Sequence, residues 1–271
     1  GKGDDYGPGY YSYPQNHIFQ NKGHLFDLKA ITIFELENEY KFRFSFSNLT
    51  DPWGAEYDFS LPLLELYIDN QAGGSNQLFE KGANVTFKKD FYWNKFFKIS
   101  GWWVRQFNPN SKSENSLNSN DLSLSTPASK KNIKLSRVDN DIYLSLPKNE
   151  INSLQNSKLV VLVGSFDPFG YDHFRSLSKT KDYWQIYSEK DINISKSTRV
   201  LDILVPGGSS QKEILEGELP ELPYLKVNID LPPQKPTIVD RLKPINTVSL
   251  SILFLYIFIL IFIIYKFDYR R

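Results

Sequence analysis

From Val248 to Tyr265 the chain reads VSLSILFLYIFILIFIIY, without a charge, a glycine or a proline. A bilayer offers backbone N–H and C=O groups no partner, so a run of this kind can satisfy them there only as a helix. It is close to the ~20 residues that cross a hydrocarbon core of ~30 Å. The sequence therefore predicts one C-terminal transmembrane helix over 245–265 and a short tail over 266–271. Lys266, Arg270 and Arg271 crowd that tail, and basic residues beside a span are retained in the cytoplasm. Arg241 and Lys243 on the other flank argue the opposite way. Three sequons, at Asn48, Asn84 and Asn193, favour a body on the outside with glycans at those positions. The expected location is a single-pass cell membrane protein with its N-terminal body extracellular. An exported body of this topology implies a leader or a larger upstream region removed before Gly1.

The rest of the chain sets limits on chemistry. Lysine and arginine total 32 against 31 aspartate and glutamate, so the net charge is +1 and no global field draws in nucleic acid. Cysteine is absent, which excludes disulfides, thiolate metal sites and a cysteine nucleophile. No P-loop, G-x-S-x-G or dinucleotide fingerprint occurs. Three scattered histidines, His17, His24 and His173, lack zinc spacing.

The body reads as β. Tyr40, Phe42, Phe44 and Phe46 alternate with Lys41, Arg43 and Ser45, the period of a strand with one face buried. The segment Leu25 to Leu36 pairs with it through a turn at Glu37-Asn38-Glu39, giving a long hairpin. Leu64, Leu66 and Ile68 alternate with Glu65, Tyr67 and Asp69 in a third strand. Further strands are expected over 83–88, 96–104, 133–137, 142–146, 159–163, 183–187 and 200–205, with a turn at Asp139-Asn140-Asp141. Many short strands and no long helical period imply an all-β antiparallel sandwich, immunoglobulin-like or jelly-roll-like, over 1–205. The segment 108–132, rich in Ser, Asn and Lys, reads as a long surface loop. Seven prolines over 206–244 suggest an extended stalk between body and span.

Two loops are dense in functional side chains. Gly3-Asp4-Asp5-Tyr6-Gly7-Pro8-Gly9 sets paired carboxylates among glycines, hard oxygen ligands suited to Ca²⁺, or else a capped turn. Gly164 to Arg175 (GSFDPFGYDHFR) holds two carboxylates, a histidine and an arginine beside four aromatics, a binding loop or a structured connection. Trp53 in DPWG and Trp102 in SGWW sit at strand ends, where an exposed indole stacks on a sugar and a buried one is core. No carboxylate spacing marks a glycosidase pair.

Seven blocks in order carry a family resemblance: GDDYGPGYYSYP, FDL at Phe26, NLTDPWGAEYDFSLPLLELYID, GANVTF, ISGWW, LVGSFDPFGYDHFR and RVLDILVP. Together they resemble the C-terminal β-sandwich module of glucodextranase and related secreted glucan-degrading enzymes, itself similar to DOMON and family-9 carbohydrate-binding sandwiches. The resemblance runs from Lys2 to Pro206. It implies a non-catalytic module that binds carbohydrate or attaches to the cell surface or surface layer, with a structural Ca²⁺. Asp4, Asp5, Asp27, Asp167 and Asp172 are the ion-site residues it implies. Trp53, Trp102 and Tyr171 are the expected sugar contacts. No catalytic domain precedes the module in this chain, and the 108–132 insert departs from the pattern. The absence of methionine and the few histidines disfavour a haem carrier. Lys- and Asn-rich usage fits an AT-rich genome, and a cysteine-free tethered ectodomain suits a prokaryote, with an archaeal source the narrower expectation.

The sequence thus predicts a membrane-anchored, non-enzymatic module for an envelope glycan or surface-layer protein, with no nucleic-acid partner. The alternatives are a structural subunit of a larger membrane assembly, or the C-terminal piece of a processed glycan hydrolase.

Overall fold

A computed structural model of the chain describes residues 3–20, 22–109, 126–127 and 132–228. In chain order the strands among them are β1 (Tyr11–Ser12), β2 (Leu28–Glu35), β3 (Glu39–Phe46), β4 (Pro62–Asp69), β5 (Thr86–Phe87), β6 (Lys95–Ile99), β7 (Val104–Phe107), β8 (Thr126–Pro127), β9 (Lys134–Val138), β10 (Asp141–Pro147), β11 (Lys158–Ser165), β12 (Leu177–Ser178), β13 (Ile186–Ser188), β14 (Val200–Ile203), β15 (Glu221–Leu222) and β16 (Leu225–Lys226). Among the described residues the two α-helices, α1 (Lys148–Ile151) and α2 (Gln211–Leu215), are single turns.

Two antiparallel sheets carry the body. One has the order β2-β3-β10-β9, and the other runs β14-β11-β4-β6-β7-β8, with β16 also on β11. The predicted hairpin is present: β2 pairs with β3 through Ile31↔Phe44 and Ile33↔Phe42. Strand β3 alternates strictly between buried and half-buried positions, as period-two patterning requires. Its phenylalanines, with Ile142 and Leu144 of β10, meet Leu64, Leu66, Phe97 and Val161 of the large sheet in one core. Cutting Phe44, fully buried there, back to alanine removes about 3–5 kcal/mol.

The large sheet has a second core on its other face. Leu63, Tyr67, Phe96 and Leu162 pack there against Phe79, Trp93 and Leu222. Strand β4 is therefore buried on both faces, including Glu65 and Tyr67, which the alternation had placed on a wet face. Loops, the two-residue strands β5 and β15 and the single turn α2 supply the cover. Lys98 of β6 is enclosed with these groups, 2.8 Å from Glu80 and 3.6 Å from Glu65.

Several boundaries move. The strand expected over 96–104 is two, β6 and β7, hinged at Ser100-Gly101-Trp102-Trp103. A Cβ on Gly101 would lie 1.5 Å from the carbonyl oxygen of Phe59, so the tight approach of these two loops admits only glycine. The strand expected over 83–88 shrinks to β5, and Tyr183 and Trp184 precede β13 instead of lying in it.

The stalk does not begin at Pro206. Residues 206–228 fold back on the body: β15 joins β5 in parallel and β16 joins β11. Leu215 and Leu222 are buried in the second core. Prolines end these pairings instead of preventing them, because each strand is only two residues long. Most of the expected 108–132 loop lies outside the described residues, and its β8 pairs with β7. The remainder of the expected stalk, the apolar run and the tail also lie outside them. Among the described residues no helix is long and apolar enough to cross a membrane.

Candidate functional site

The glycine-dependent contact at Gly101 fixes the first feature. Tyr57 N–H donates to Gly101 O, and both carboxylate oxygens of Asp51 hold Ala55 N–H. These bonds set the DPWG turn against the β6–β7 turn and bring Trp53 and Trp102 to 6.1 Å between ring centroids. Trp102 stacks in turn on Phe166 at 4.9 Å, and Phe166 on His173 at 5.5 Å. The column is a rigid aromatic wall with Trp53 at its head.

The loop after β11 supplies Phe166 and His173 to this column and continues past it. Asp167 N–H donates to His173 O, and Asp167 Oδ1 accepts from Phe169 N–H at 3.0 Å. This closed turn holds Phe169 96% exposed, an unusual position for a phenylalanine on a fixed backbone. Trp53, Trp102, Asp167, Phe169, Arg175 and Trp184 border a cavity of about 480 Å³. Arg175 closes its floor. The guanidinium donates to Ser165 Oγ, Phe166 O and Trp184 O, and lies over the rings of Phe19, Trp53 and Trp184. Burial lowers its pKa to about 10. An indole pair, an exposed phenyl ring and two fixed polar groups can stack on the apolar face of a ring while bonding its edge.

Of the predicted sugar contacts, Trp53 and Trp102 meet here. Tyr171 lies on the same loop, half exposed, but does not border the cavity. Trp184 was missed. The adjacent aromatics Tyr183-Trp184 were the available signal, read instead as strand.

The second feature is a carboxylate cluster. Oxygens of Asp4, Asp27 and Asp202 lie within 4.8 Å of one another. Asp27 and Asp202 are fully buried. Asp202 accepts Leu28 N–H and Ile203 N–H, and Asp27 Oδ2 accepts the Ser47 hydroxyl. Asp27 Oδ1 is buried without a hydrogen-bond partner. Burial, reinforced by the charges of Asp4 and Asp27, pushes the Asp202 carboxyl up to about 9. Three hard oxygen donors, one of them unsatisfied, fit a cation such as Ca²⁺.

The other predicted ligands go elsewhere. Asp5 is buried in a separate network, accepting from the Tyr13 hydroxyl and Phe26 N–H and bonding His24 Nδ1 at 3.1 Å. Asp167 belongs to the aromatic cavity. Asp172 pairs with Arg199, and its carbonyl accepts from Lys98 Nζ. Asp202, in the block RVLDILVP, was missed. Among the sequons, Asn193 is exposed with its amide donating to Glu218 Oε1, and the Asn84 amide donates to both Ser195 O and Ser197 O.

A family model described as the C-terminal binding module, SLH-like, of glucodextranase matches residues 1–221. No curated protein matches the chain. The matched stretch passes Pro206 and reaches β15, in keeping with the packing of that segment.

Proposed function

The chain belongs to the family of glucodextranase C-terminal binding modules, and on that premise we propose that it is a non-catalytic receptor for glycan at the cell envelope. The cavity between Trp53, Trp102 and Trp184 carries this reading, because its tilted indole pair can stack on the apolar face of a pyranose while Asp167 and Arg175 meet its polar edge. Binding is the expected activity because the matched family is described as a binding module. The apolar run Val248–Tyr265 supports a membrane anchor, with the body outside. A Ca²⁺ held by Asp4, Asp27 and Asp202 would stabilise the N-terminal loop.

The test is co-sedimentation of the full chain with purified envelopes, before and after glycans are stripped. Expected are retention on intact envelopes, loss after stripping, and at least a tenfold weakening in Trp102→Ala and Trp184→Ala, with thermal stability nearly unchanged in the half-exposed Trp184→Ala. Retention that survives stripping and both substitutions would replace the glycan with a protein partner, as in a larger envelope assembly.

A further inference from the structure

The N-terminal segment 3–20 touches both features. At one end Asp4 joins Asp27 and Asp202. Gly7 N–H then donates to Leu201 O, one residue before Asp202. Further on, β1 pairs with β13 through Tyr11↔Ser188 and Ser12↔Tyr187. Gln15 N–H donates to Asp182 O and Asn16 N–H to Tyr183 O. Asp182 Oδ1 in turn accepts from the N–H groups of Trp184 and Gln185, both at 2.7 Å. The segment ends with Phe19, 1% exposed, beneath the Arg175 guanidinium at 5.0 Å.

The strap therefore supports two walls of the aromatic cavity, the Trp184 turn and the Arg175 floor. Its other end brings Asp4 against the buried Asp27 and Asp202, acidic groups whose charged forms repel one another in the absence of a cation. Asp27 Oδ1, buried and unpartnered, marks that end as incomplete by itself. We infer that a divalent cation at Asp4, Asp27 and Asp202 regulates the aromatic cavity, ordering the strap and with it Trp184 and Arg175. This inference rests on the glycan reading of the cavity and on the cation reading of the cluster. Coupling of this kind is reciprocal, so an occupied cavity tightens cation binding by the same factor.

Hydrogen exchange of the full chain, in Ca²⁺ and in chelator, reads the linkage without any glycan. Expected is exchange at least tenfold slower in Ca²⁺ at Gln15, Asn16 and 182–188, with β9 and β10 unchanged. Asp27→Asn abolishes the response. Asp4→Asn, at the partly exposed member, does the same if the first variant folds poorly. Calorimetry with Ca²⁺ alone separates the failures. Heat of binding with unaltered exchange at 182–188 overturns the linkage and leaves the cation site standing, whereas no heat overturns both. In the envelope assay, retention sensitive to Trp102→Ala but equal in Ca²⁺ and chelator overturns the linkage and leaves the glycan reading intact. Retention insensitive to Trp102→Ala removes the cavity from the argument, and the linkage with it.

Discussion

Asp4 and Asp5 are neighbours in sequence with separate fates. Tyr6 N–H donates to Asp4 O, a turn that sends Asp4 to the carboxylate cluster and Asp5 into the Tyr13–His24 network. Adjacency in the sequence suggested a shared ion, and only the turn separates them. Asp202 was legible in another way, as a charge within the apolar stretch VLDILV, but a lone buried acid does not announce its partners. Its chemistry fixes a pH dependence. Its folded pKa is raised by burial to about 9, against an ordinary carboxylate near ~4. In chelator, stability from this group is full below pH ~4 and is lost as pH rises through 9. The melting temperature in chelator should therefore fall between pH 5 and 9, and Asp202→Asn should flatten that fall. Gly101 gives a second expectation. Alanine there drives a Cβ into the Phe59 carbonyl, so Gly101→Ala should cost about 3 kcal/mol or more in urea unfolding. The same change should part Trp53 from Trp102.

At the level of elements, alternation identified β3 and its hairpin because one face of that sheet is open. It misjudged β4 because a second layer covers the face that Glu65 and Tyr67 occupy. Periodicity reports how many faces are wet, and the covering layer is built from loops, two-residue strands and one helical turn, too short to show a period of their own. The closing segment was misread for a related reason. Prolines at 206, 220 and 223 suggested an extended stalk, while the apolar residues between them, Leu215 and Leu222, were the sign of docking. In a stalk, Leu222→Ala would be neutral. Packed in the second core, it should cost about 2–4 kcal/mol, and chemical denaturation distinguishes the two. The Trp53–Trp102 meeting could not be read from periodicity, since Trp53 lies in the connection between the two sheets and Trp102 in the β6–β7 hairpin turn, and their contact is tertiary.

The molecule as a whole lacks disulfides, so ligands and packing carry its stability. A cation bound only by the folded state stabilises it in proportion to the logarithm of its concentration, about 2.7 kcal/mol at one hundred times the dissociation constant. Melting temperature should rise steadily with added Ca²⁺ and not with added Na⁺, and Asp4→Asn should remove the rise. If Ca²⁺ leaves the melting temperature of the unmodified chain unmoved, the cluster is a strained acidic core and not an ion site.

Asp4 and Asp202 stand near opposite ends of the described sequence, and the bond of Gln211 Nε2 to Asp4 O joins the same two ends. A chain emerging from its N-terminus holds Asp4 and Asp27 early but lacks their third partner until almost all of the sheet has been made. Closing so long a loop is entropically costly and comes late. The cluster thus works as a test of completion: a chain ending before Asp202 has no third carboxylate to offer, and full cation affinity arises only in a finished body.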